Sequence, residues 1–158
     1  MIDYVSIYDA EGNWIGGKYD NIKGTSKIKG VELAYETNIA EDFLISTSYT
    51  HLDANNEKGE RLARRAKGTL KLGVDYYGIE NLHLGLSGEY VGKRYNRDDE
   101  KGKQTGKYSV ANFTANYKVS SQLNLYGKVD NIMDKNYQTI EGYSTSPRAI
   151  YVGMGLNY

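Results

Sequence analysis

The last ten residues, 149–158, alternate with a period of two. Ile150, Val152, Met154, Leu156 and Tyr158 share one face, and Tyr151, Gly153, Gly155 and Asn157 share the other. A helix would mix these residues around its circumference, whereas a strand sorts them into an apolar side and a bare or polar side. The same alternation returns at Val31, Leu33 and Tyr35, at Leu70, Leu72, Val74 and Tyr76, and at Ala111, Phe113, Ala115 and Tyr117. A chain written this way along most of its length is confined to an all-β fold with one continuous apolar face. Eighteen Gly and 16 Tyr beside a single Pro agree, because tyrosine suits strands and water–lipid interfaces while glycine suits turns.

Taken in order, the period predicts eight strands. The first covers Ile2–Ile7, a loop rich in turn formers follows over Tyr8–Asp20, and the second strand runs from Asn21 to Glu36. Strand three covers 43–52, strand four 68–77, strand five 82–90 and strand six 108–119. Strand seven extends from Leu123 to about Tyr137, and strand eight is the terminal stretch. Short turns at 38–42, 78–81 and 120–122 therefore alternate with long polar connections at 53–65, 96–106 and 138–148. Antiparallel strands joined in this way describe an outer-membrane barrel, with short turns at the periplasm and long loops outside.

No run of about 18 apolar residues is present, so no transmembrane helix is expected. That does not count against a membrane barrel, whose strands show only every second residue to lipid. An eight-stranded lipocalin-like barrel is the soluble competitor. The membrane reading is preferred because the polar face carries Gly, Ser and Ala beside its charges, and Tyr recurs near strand ends where an interfacial girdle belongs. A formal net charge of zero offers no electrostatic basis for binding nucleic acid. The lack of cysteine excludes disulfides and thiol chemistry. Met1 leads straight into a strand-like segment, so no signal peptide is expected within these residues.

Four segments, in order, resemble the C-terminal part of TonB-dependent outer-membrane receptors. They are Ile28-Lys-Gly-Val-Glu32, Leu62-Ala-Arg-Arg-Ala-Lys67, Tyr90-Val-Gly-Lys-Arg-Tyr95, and Val129-Asp-Asn-Ile-Met-Asp-Lys-Asn-Tyr137 running on to Gly142, Tyr143 and Arg148. The last block is the most specific, and the first two are most similar in wording to the cobalamin-transporting members. The resemblance implies a bacterial outer-membrane location. It also implies that residues 1–158 form the last eight strands of a 22-stranded barrel, with the plug domain and TonB box outside this sequence. Uptake of cobalamin is the implied activity, with a ferric-siderophore receptor or a small structural barrel without transport as alternatives.

Neither a cofactor nor an enzymatic activity is implied. The expected partners are outer-membrane lipid, lipopolysaccharide, the barrel assembly machinery and the missing part of the receptor barrel. The aromatic chain end resembles the insertion signal of outer-membrane barrels, which implies that Tyr151, Gly153, Leu156 and Tyr158 engage that machinery. Bare strand edges are not tolerated in lipid, so the eight strands are expected either to pair with further strands or, preferably, to close on themselves. Gly73, Gly85, Ser87, Gly153 and Gly155 would then leave room inside a narrow barrel.

Candidate sites are few. In the resembling receptors Tyr95, Tyr137 and Tyr143 would offer flat rings to a bulky ligand. Arg61, Arg64, Arg65 and Lys67 form a basic cluster suited to lipopolysaccharide phosphates, although pairing with acidic residues of neighbouring loops is the simpler reading. Asp98, Asp99 and Glu100 with Asn96 offer oxygen ligands for a hard cation but lack the spacing of a calcium loop. His51 and His83 stand in separate strands without metal-ligand spacing, so neither a metal site nor a catalytic group is expected. Glu32, Glu36, Lys71, Asp75, Glu89, Lys128 and Asp130 are expected to pair on the inner face. Asn131 and Asp134 are expected to hold the last hairpin through side-chain bonds to backbone.

Overall fold

The computed structural model describes residues 2–21 and 24–157. It is built from strands β1 (Ile2–Tyr8), β2 (Trp14–Asn21), β3 (Lys27–Ile39), β4 (Phe43–Asn55), β5 (Gly68–Ile79), β6 (Leu82–Val91), β7 (Tyr108–Lys118), β8 (Leu123–Asp130) and β9 (Ala149–Leu156). β1 and β2 form a separate hairpin, and β3 to β9 form one seven-stranded sheet in sequence order. Every neighbouring pair is antiparallel.

Register makes this sheet two-faced. Thr37, Ile45, Val74, Leu86, Phe113, Val129 and Ile150 stand directly opposite one another across all seven strands. One residue along, Glu36, Ser46, Gly73, Ser87 and Asn112 form the matching row of the other face. Because side chains alternate, a one-residue slip anywhere would have broken both rows. The apolar face is open to the outside: in this row Leu86 is 50% and Ile150 70% exposed. Among the described residues nothing covers that face, which in water would be a large exposed apolar surface and in a bilayer is the lipid-facing wall. The opposite face is lined by small side chains, and Ser46, Ser48, Gly73, Gly85, Ser87 and Thr114 border a groove of about 370 Å³.

Short turns set the register locally. At the β7–β8 turn the Ser120 hydroxyl accepts the backbone N–H groups of Gln122 (3.2 Å) and Leu123 (3.1 Å). At the β5–β6 turn Asn81 takes the left-handed conformation, φ 63°, which asparagine tolerates well. The β1–β2 hairpin is closed by Asp9, whose carboxylate accepts the Asn13 backbone N–H at 2.7 Å. That bond, with the Asn13 side chain and nearby backbone groups, holds the Asp9 carboxyl below the usual carboxylate range.

Three expectations need correction. The segment 8–20 is not a loop: it contains most of β2, so the described residues form nine strands and the next one starts at Lys27 rather than Asn21. Strand seven stops at Asp130, not near Tyr137, because Asn131 turns into the left-handed region at φ 52°. Nor does the chain close on itself, since among the described residues β3 and β9 remain the two edges of an open sheet. The three short turns fall where the alternation places them.

Candidate functional site

Long connections leave the same end of the sheet at 56–67, 92–107 and 131–148. They are not independent loops. In the first, Asn56 makes a side-chain turn, its Oδ1 accepting the N–H groups of Lys58 (3.0 Å) and Glu60 (2.9 Å). Leu62, 4% exposed, is drawn back against the strand by a bond from its N–H to the Ala54 carbonyl at 2.9 Å. The second is a twisted hairpin in which Thr105 N–H donates to the Arg94 carbonyl at 3.0 Å and Asn96 N–H to the Lys103 carbonyl at 3.0 Å.

Bonds run from each loop to the next. Arg64 Nε donates to Asn96 Oδ1 at 3.0 Å, Ala63 N–H to Asp98 Oδ1 at 2.6 Å, and Asp99 N–H to the Arg61 carbonyl at 2.8 Å. On the other side Arg94 donates to the Thr139 carbonyl at 3.1 Å and Asn96 Nδ2 to Glu141 at 2.9 Å. Three of the four cations of the basic cluster are thereby occupied internally: beside Arg64, Arg61 donates to the carbonyls of Leu52 and Arg65 and Lys67 lies 3.8 Å from Glu100, while the Arg65 side chain is exposed. The acidic run is occupied too, with Asp99 3.1 Å from Lys101.

Beneath the loops, Val91, Tyr108 and Val110 form a small buried cluster joined by Ala66 and Tyr137. The Tyr137 ring packs on Tyr108 at a centroid distance of 4.3 Å. Tyr95 is half-buried and takes part in a bridge to Gln104, while Tyr143 is 70% exposed. The three tyrosines thus sit on the same loop end, with different freedom: Tyr137 is engaged, Tyr143 is open to solvent.

The third loop is anchored by Asn131, 4% exposed. Its Oδ1 accepts Lys135 N–H at 2.8 Å, its Nδ2 donates to the Lys135 carbonyl at 2.9 Å and the Ser146 carbonyl at 3.3 Å, and its own N–H donates to Asn112 Oδ1 at 2.9 Å. Asp134 Oδ1 accepts Arg148 N–H at 2.9 Å, tying the start of the loop to its end. Asn112 escaped the sequence reading because its role depends on a residue 19 positions away.

A seam of glycines lets the loops approach the sheet. A Cβ on Gly106 would collide with the Gly92 carbonyl, and one on Gly92 would lie 2.7 Å from the Gly68 carbonyl. Backbone cannot move aside as a flexible side chain can, so Gly106→Ala is expected to destabilise the protein by about 1–3 kcal/mol. Gly155→Ala, where a Cβ meets nothing within 4 Å, serves as the near-neutral control. Thermal unfolding in detergent micelles measures both.

On the inner face, His83 Nε2 lies 2.6 Å from Asp75 Oδ1 and its ring stacks on Tyr77 at 4.6 Å. Lys71 is 3.9 Å from Glu89, Lys128 2.9 Å from Asp130, and the Thr50 hydroxyl 3.5 Å from Glu32. His51 stands on the opposite face, paired with Val31 and Gly68. Of the terminal strand, Tyr151 and Gly153 lie on the inner face and Leu156 on the apolar one, while Tyr158 lies outside the described residues.

Comparison with known proteins is consistent across sequence and structure. The family model described as TonB dependent receptor-like, beta-barrel matches residues 2–132. The Vitamin B12 transporter BtuB of Vibrio cholerae serotype O1 is 32% identical over 146 residues, covering 89% of this chain and 23% of that protein. The chain therefore spans about a quarter of the length of that relative. Among solved structures, the copper transporter OprC matches with a TM-score of 0.79 at 14% identity, over 100% of this chain and 27% of that one. The siderophore receptor PirA from Acinetobacter baumannii matches with a TM-score of 0.74 at 19% identity, over 100% and 26%.

Proposed function

Because the chain belongs to the family of TonB-dependent receptor β-barrels, proteins of the bacterial outer membrane, we propose that it supplies wall and outer loops to a receptor taking up a bulky nutrient of the cobalamin class. The observation that carries this reading is the 32% identity to a vitamin B12 transporter across 89% of the chain. The likenesses to copper and siderophore proteins, at 14% and 19% identity, speak for the fold and not for a substrate. Outer membranes from cells making the protein at its natural length should bind labelled cyanocobalamin, and a ferric siderophore should not compete. Binding of the siderophore with no binding of cobalamin would overturn the assignment.

Tyr143 would meet such a ligand; its exposure supports this reading, since Tyr137 is packed on Tyr108. Losing one aromatic contact is worth about 0.5–1.5 kcal/mol, so Tyr143→Ala should weaken cobalamin binding roughly two- to twelvefold with no change in barrel stability. Tyr95 and Tyr137 would act mainly by shaping the loop end.

The free edges of β3 and β9 call for strands from elsewhere, because hydrocarbon leaves unpaired backbone groups unsatisfied. The remaining receptor barrel is the natural partner for both. The terminal strand would also engage the assembly machinery through Tyr151, Gly153, Leu156 and Tyr158. Replacing Leu156 and Tyr158 together by Asp should block assembly in cells while refolding into detergent survives; normal assembly in cells would refute the recognition role.

A further inference from the structure

Between the second and third loops lies an open cleft of about 420 Å³, bordered by residues 103–108 and 135–138. Its charged lining is of one sign only, from Lys103, Lys107 and Lys135. Among the described residues none of these three ammonium groups forms an ion pair; Lys93 and Lys118 are likewise without one, but only these three are gathered on one cleft that holds no carboxylate. Three like charges left together beside a cleft repel one another, and an anion between them would relieve that repulsion.

Among the described residues two further groups on the same walls lack partners. Thr105 is 3% exposed, yet its hydroxyl has no hydrogen-bond partner. The carboxamide oxygen of Gln138 is buried and equally unpartnered. Orphaned buried polar atoms are costly and few in folded proteins, so two of them on residues that line one cationic cleft point to something that completes their bonding. Lysine ammonium groups and a threonine O–H donate, while the Gln138 oxygen accepts. The complementary ligand has anionic oxygens together with an O–H.

We propose that this cleft binds a phosphate group borne on a hydroxylated carrier, such as a sugar phosphate. The phosphate oxygens accept from Lys103, Lys107, Lys135 and the Thr105 hydroxyl, and a carrier hydroxyl donates to Gln138 Oε1. The same chemistry arises from two sources at an outer-membrane surface: the phosphorylated sugar headgroup of a lipid in the outer leaflet, or a soluble phosphate-bearing molecule. In the basic run expected to meet phosphates from sequence, Arg61, Arg64 and Lys67 are tied to their own loops, whereas these three lysines border one cleft without an ion pair. The proposal is independent of which nutrient the receptor carries.

The test uses the protein at its natural length in detergent micelles, with three probes: diphosphoryl lipid A, the same lipid dephosphorylated, and glucose 1-phosphate. The variant Lys103→Gln, Lys107→Gln, Lys135→Gln keeps side-chain length at exposed positions, and Thr105→Val removes the hydroxyl at constant shape. Lys18→Gln with Lys58→Gln is the charge control elsewhere on the surface. We expect at least one phosphorylated probe to bind tenfold or more weakly to the triple variant and severalfold more weakly to Thr105→Val, with the control unchanged. Loss confined to lipid A identifies the lipid headgroup as the source, and loss with glucose 1-phosphate identifies a soluble one. Equal binding to parent and triple variant, equal binding of phosphorylated and dephosphorylated lipid, or no binding of any probe would each overturn the proposal.

Discussion

Leu86→Arg is expected to destabilise the protein in a lipid bilayer by about 2–4 kcal/mol, whereas Ser87→Arg, one residue along, should cost far less. Leu86 stands near the middle of β6, directly opposite Val74 and Phe113, in the apolar row that crosses all seven strands. An arginine there would sit near the bilayer midplane with no partner and no water. Ser87 faces the other way, opposite Gly73 and Asn112, where the groove on the polar face gives a long side chain space and polar company. Denaturant unfolding of both variants in phospholipid vesicles measures the difference. If Ser87→Arg proved the more damaging, the two faces would have been assigned the wrong way round.

The second large effect is expected at Asn131. Replacement by Ala removes three side-chain hydrogen bonds and leaves the N–H and carbonyl of Lys135 and the carbonyl of Ser146 short of partners in a site that is 4% exposed. At about 1 kcal/mol per bond, the loss is about 3 kcal/mol. Alanine also tolerates φ 52° less well than asparagine, which adds a further about 1 kcal/mol. Asn131→Gly separates the two contributions, because glycine accepts the backbone angle but supplies no bonds. We expect the glycine variant to recover only the smaller part. Equal stability of parent and alanine variant in detergent unfolding would show that the third loop is held by other means.

What could be read from the chain alone follows from how local the cause is. The two faces of β3 to β9 were legible because alternation needs only neighbours two residues apart, and short turns such as Ser120–Gln122 carry their own bonding. β2 was missed because Gly16 and Gly17 interrupt any apolar pattern between Trp14 and Asn21. Its strand character comes from pairing with β1, as in Tyr4 opposite Tyr19. Strand seven was drawn too long because the residue that ends it, Asn131, is bonded to Asn112 and Ser146, partners that local patterning does not reveal. Pairing of Arg64 with a neighbouring loop is the simpler reading of the sequence, but its partner is beyond local patterning for the same reason: the acceptor, Asn96, is 32 residues further on. Whether the sheet closes depends on curvature summed over all its strands, and no single segment carries that information.

The bonds linking Arg64 to Asn96 and Asn96 to Glu141 have a consequence for how such a protein can change over generations. A loop grafted alone from a relative arrives without its neighbours' matching donors and acceptors, so single-loop exchange should be selected against even where the loop tip is favourable. Inheritance would then act on the bases of all three loops as one block. Diversity would collect at exposed tip positions such as Lys58, while Gly59 beside it, at φ 79°, stays glycine.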